Sequence, residues 1–106
     1  VNKFEKMGLL QADVSTLMEG FKRIHNLQKA VLFGSRAKGS YKPGSDVDLA
    51  LYGDNLSRDD LLALSYWLNQ ETLLPYKIDL LLYQDIDKAV QDHIERVGIT
   101  VYTRGT

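Results

Sequence analysis

A chain of 106 residues, 44% apolar and 25% charged, has the profile of one soluble globular domain with material for a single core. Thirteen Lys and Arg against fourteen Asp and Glu leave a net charge of −1, which gives generic duplex nucleic-acid binding no support. Cysteine is absent, so disulfides and thiolate metal sites are excluded.

The opening VNKFEKMGLL lacks the apolar core of a signal peptide, and residues 1–8 read as a loose lead-in to a single domain spanning 1–106. No apolar run nears the roughly 20 residues of a membrane span, so the expected location is cytoplasmic. Val14, Leu17, Met18, Phe21 and Ile24 recur at helical spacing and predict a helix over about 12–25, weakened slightly by Gly20. KAVLFG (29–34) is a short apolar run suited to a buried strand, and SRAKG after it suits a short helical turn. SYKPGS (40–45) carries Pro-Gly and reads as a loop. DVDLALY then alternates, with Val47, Leu49 and Leu51 on one face and Asp46, Asp48, Ala50 and Tyr52 on the other.

Ser57, with Asp60 three residues on, predicts a capping box that opens a helix to about Glu71. YKIDLLLY (76–83) is a third strand, with Asp79 inside its apolar run. Asp85 is expected to cap a last helix that Gly98 stops, and ITVYT adds a short edge strand. The expected class is α/β (α+β): a small mixed sheet backed by helices.

Three features stand out chemically. Gly34-Ser35 is either an ordinary strand-to-helix turn with Ser35 as N-cap or a cradle whose amides and hydroxyl hold a phosphate. Asp46 and Asp48 share one strand face, where they form either a solvated strand end or part of the carboxylate set that Mg²⁺ prefers. Asp79 interrupts an apolar strand, where an unpaired charge is expensive, and serves either as a salt-bridge partner of Lys77 or of a buried Arg, or as a third metal ligand. Carboxylates about 4 Å apart repel by roughly 1–4 kcal/mol per pair, a large share of the ~5–15 kcal/mol that holds a small domain together. Together, Asp46, Asp48 and Asp79 read as a divalent-metal triad and a phosphoryl or nucleotidyl transfer site.

Gly34-Ser35, ten intervening residues, Asp46-Val47-Asp48 and a later-strand Asp79 resemble the DNA polymerase β-like nucleotidyltransferase superfamily. GSRAKGSYKPGSDVDLAL and the small size point to its minimal nucleotidyltransferase branch. The resemblance implies two Mg²⁺ ions held by Asp46, Asp48 and Asp79, with Asp79 assisting deprotonation of the acceptor hydroxyl. It also implies triphosphate phosphates at Gly34 and Ser35, with Arg36 as the family's usual basic residue there. The substrate it implies is a nucleoside triphosphate, ATP by preference, transferred as AMP with release of pyrophosphate.

The same resemblance implies a small all-helical companion, either a substrate-binding protein or a HEPN-type toxin. A chain this short leaves no segment for an acceptor-binding domain, so the acceptor is expected on another chain, with Tyr66 and Leu73-Leu74 as contact candidates; self-association into a homo-oligomer explains those residues equally well. The alternative reading is an antitoxin-type module that neutralises a helical partner by contact. A repair polymerase fails on size. His25 and His93 lack metal-ligand spacing, and Tyr66, Trp67, Tyr76 and Tyr83 serve either base stacking or the core.

Overall fold

The structure, a computed structural model, describes residues 3–105. Four strands form one sheet in the order β3-β2-β1-β4: β1 (Lys29–Phe33), β2 (Val47–Tyr52), β3 (Ile78–Leu82) and β4 (Ile99–Thr103). β1 is antiparallel to β2 and to β4, while β2 and β3 are parallel. The helices are α1 (Lys3–Lys6), α2 (Gln11–Lys22), α3 (Ser35–Lys38), α4 (Arg58–Gln70) and α5 (Lys88–Val97), with a 3₁₀ turn at Tyr83–Asp85. This is the mixed, helix-backed sheet that the sequence predicts.

Strand alternation sorts the residues into two layers. Ala30, Leu32, Val47, Leu49, Leu51, Ile78, Leu80 and Leu82 join α2 and α4 in the main core. Val31 and Ala50 meet Ile94 of α5 on the other face. Gly20 is what lets the helix layer close, because a Cβ there would press on Trp67, Leu64 and Leu68 of α4. The glycine that weakened the helix prediction is therefore a packing residue.

α4 starts as predicted: the Ser57 hydroxyl accepts from the Asp60 amide, and the Asp60 carboxylate accepts from the Ser57 amide. The connection β2–α4–β3 is the helical crossover that a parallel pair requires. Two predictions need correction. Asp85 does not cap α5; it lies in the 3₁₀ turn, and Asp87 accepts from the Val90 amide instead. The lead-in is not loose over its described part. It carries a helical turn and seats Met7 in the main core, next to Leu9 just beyond it, because apolar burial outweighs the ordering of a short segment. Val1 and Asn2 of that prediction lie outside the described residues. Among the described residues, no helix is long and apolar enough to cross a membrane.

Candidate active site

β1 ends at Phe33 and delivers Gly34 to the start of α3. Gly34 has φ +76°, and a Cβ at that position would collide with the Asp48 carboxylate. Only glycine combines that backbone with so close an approach. Phe33 is the register partner of Asp48, and Asp48 is the register partner of Asp79 on the parallel strand. In-register neighbours project to the same side of a sheet and stand about 4.8 Å apart. The turn and the two strand carboxylates therefore converge, with Asp46 exposed one residue before β2.

Electrostatics registers that convergence. Burial, then the Asp79 charge, then the Asp46 charge push the Asp48 carboxyl above the ordinary aspartate range. Asp79 also realises its alternative reading, since Lys77 Nζ stands 3.5 Å from its carboxylate in an exposed pair. Among the described residues no three acidic or imidazole groups close on one point within ligand reach, so the triad is not a preformed cage. Like charges hold one another apart, and Lys77 draws on Asp79. One or two carboxylates plus phosphate oxygens are the usual protein share of a hard divalent cation's shell, and Asp48 flanked by Asp79 and Asp46 supplies that donor type.

Arg36 is a correction. It is 2% exposed, and its guanidinium donates to backbone carbonyls: Nη1 to Met7 at 2.9 Å, Nε and Nη2 to Ser45 at 3.1 and 2.8 Å. It also lies over the rings of Tyr41 and Tyr76. A group this committed does not reach a phosphate; its planar fork is used inside the protein. Lys38 and Lys42, by contrast, are exposed.

Asp13 escapes the motif reading altogether. It is buried on the apolar face of α2, four residues before Leu17, where it accepts from the Leu10 amide and from Tyr76 Oη at 2.7 Å. A carboxylate on a helical core stripe is a legible signal that its partner lies inside the fold. Tyr76 thus belongs to this network. Tyr83 stacks on Tyr52 with centroids 4.2 Å apart, Trp67 packs against the main core, and Tyr66 is 62% exposed.

Residues 15–106 match the family described as Polymerase beta, Nucleotidyltransferase. The chain belongs to this family. The nucleotidyltransferase is also 33% identical over 78 residues to a protein of Methanocaldococcus jannaschii named as a candidate protein adenylyltransferase, covering 73% of this chain and 82% of that one. Its fold matches a chain of a toxin–antitoxin crystal structure with AMP-PNP at a TM-score of 0.73 and 19% identity, covering 88% of this chain and 75% of that chain. A chain from the complex of tri-AMPylated Shewanella oneidensis HEPN toxin with MNT antitoxin matches at a TM-score of 0.67 and 19% identity, covering 88% and 71%. At such identities the structural likeness speaks for the fold.

Proposed function

We propose that this nucleotidyltransferase moves AMP from ATP to a hydroxyl presented by a small helical partner protein, or by that partner's ligand, and releases pyrophosphate. The observation that carries the reading is Asp48, in parallel register with Asp79 and with its carboxylate against the Gly34 backbone. Paired acidic side chains beside the backbone amides of the Gly34-Ser35 turn support a site for a metal-bound phosphate. The family membership supports the chemistry, and the candidate adenylyltransferase relative supports AMP as the group moved.

In this mechanism Gly34 and Ser35 hold the β- and γ-phosphates through backbone amides and the Ser35 hydroxyl. Asp46, Asp48 and Asp79 would hold Mg²⁺, which when bound neutralises phosphate charge and makes the acceptor hydroxyl more acidic. Asp79 assists removal of the acceptor proton. The acceptor oxygen bonds to the α-phosphorus in line as the bond to the pyrophosphate oxygen breaks. The partner supplies the acceptor, a tyrosine hydroxyl by preference, within roughly 3–3.5 Å of phosphorus. The location we assign is the cytoplasm.

The test incubates the purified chain with Mg²⁺, each labelled triphosphate and its native helical neighbour, followed by mass analysis of the product. The expected result is AMP on the neighbour, or on its ligand, from ATP. Efficient transfer to a free small molecule by the isolated chain would overturn the two-chain reading. Tight binding of the neighbour with no transfer would favour neutralisation by contact.

A further inference from the structure

Ten residues separate Ser35 from Asp46, and the segment between them includes Gly39 and Gly44, both at positive φ. Such a loop does not by itself fix the distance between a phosphate-holding hydroxyl and a carboxylate. Arg36 follows Ser35, and Ser45 precedes Asp46. The two bonds from the Arg36 guanidinium to the Ser45 carbonyl, 3.1 and 2.8 Å, therefore tie the two ends of the loop together. The remaining edge of the guanidinium anchors that tie to the lead-in, through Met7 O at 2.9 Å and Gly8 O at 3.4 Å.

The anchor is itself held. Gly8 has φ +76°, and a Cβ there would press on both the Tyr41 ring and Arg36 Nη1. Tyr76 Oη donates to Asp13, and that carboxylate accepts from the Leu10 amide, which closes the segment from the other side. We propose that Arg36 is a positioning residue that sets the spacing between Ser35 and Asp46, and that the segment from Met7 to Leu10 is part of the active-site scaffold. The proposal builds on the transfer reading for its kinetic consequence only.

The test compares the full wild-type chain with Arg36→Lys and Gly8→Ala. A lysine is a single point charge and cannot reach the Met7 and Ser45 carbonyls with one planar fork. Gly8→Ala leaves Arg36 chemically intact but pushes on it. Two amides report the loop end directly: Ser45, which donates to Lys42 O, and Val47, which donates to Lys77 O. In Arg36→Lys these amides should exchange with deuterium at least about tenfold faster while those of Leu49 and Leu51 keep their wild-type rates, the mark of local rather than global opening. The kcat for transfer should fall about 100-fold with the KM for ATP within about threefold, as expected for misplacement of reacting groups. Gly8→Ala should shift both readouts the same way by a smaller factor. Unchanged exchange at Ser45 and Val47, acceleration spread evenly over the sheet, or an unaltered kcat in folded Arg36→Lys would overturn the proposal. Where Arg36→Lys does not fold, Gly8→Ala decides by the same local-against-uniform contrast. Where the wild-type chain transfers nothing, the functional reading falls and the exchange data alone decide the role of Arg36.

Discussion

In Asp48 a carboxylate is held where burial and two like charges oppose its ionisation. The folded chain therefore binds a proton there more tightly than the unfolded chain does. Between the ordinary aspartate pKa and the raised one, the folded state carries more protons, so stability falls as pH rises through that window. Below the window the group has no effect, and above it the penalty is complete. Asp48→Asn removes the charge, so without divalent cation the variant should gain on wild type as pH climbs through the window. Urea midpoints of both chains at a series of pH values check this, and equal midpoints at every pH would refute it. The same variant should lose transfer by at least about 100-fold, the scale of charge stabilisation that a bound divalent ion provides. Alternation alone placed Asp48 correctly, because period 2 is a local rule. The role of Arg36 was not legible. Its burial depends on Met7, Tyr41, Ser45 and Tyr76, and nothing local joins those positions.

At the scale of elements, β3 is an edge strand, and its first residue is secured by a side chain rather than by a neighbouring strand. Asn69 of α4 accepts from the Ile78 amide at 2.8 Å and donates to the Ile78 carbonyl at 3.0 Å. One amide thus imitates one rung of a β-ladder and fixes the strand start immediately before Asp79. Asn69→Leu should leave both backbone groups of the buried Ile78 without that partner and destabilise the fold by about 2 kcal/mol, measured by urea denaturation. A change under about 0.5 kcal/mol would mean that other groups satisfy them. The strands, α4 and its Ser57–Asp60 box were legible because each rests on periodicity or on residues three apart. The Asp85 error has an equally local cause. Two aspartates two residues apart offer alternative caps, and the 3₁₀ turn at Tyr83–Asp85 moves the helix start to the second.

Over the whole molecule, the helix layer buries one face of the sheet and α5 covers part of the other. What remains apolar and exposed includes Leu62 and Tyr66 on α4 and Leu73 beyond it, the last 100% exposed. Leu74, paired with Leu73 in the sequence prediction, instead packs against the main core. Residues this exposed contribute little to folding, so Leu73→Ser and Tyr66→Ser should each change stability by no more than about 0.5 kcal/mol. If the helical partner rests on these residues, the same changes should weaken its binding in a titration of the two purified proteins. Unaltered binding by both variants would place the partner elsewhere, and a shift in the mass of the chain alone would identify self-association.

Trp67 is the chain's one tryptophan. It lies against the Gly20 gap between α2 and α4, with the Arg23 guanidinium 4.0 Å above its ring. Asp48 projects from the opposite face of the sheet, since its neighbours Val47 and Leu49 are the ones that join the helix layer. The indole is therefore an optical gauge of helix-layer packing that stands apart from the proposed nucleotide site. Its emission should move when the fold opens and stay still when ATP is added. A single fluorescence trace can then separate a variant that has melted from one that is intact but catalytically silent.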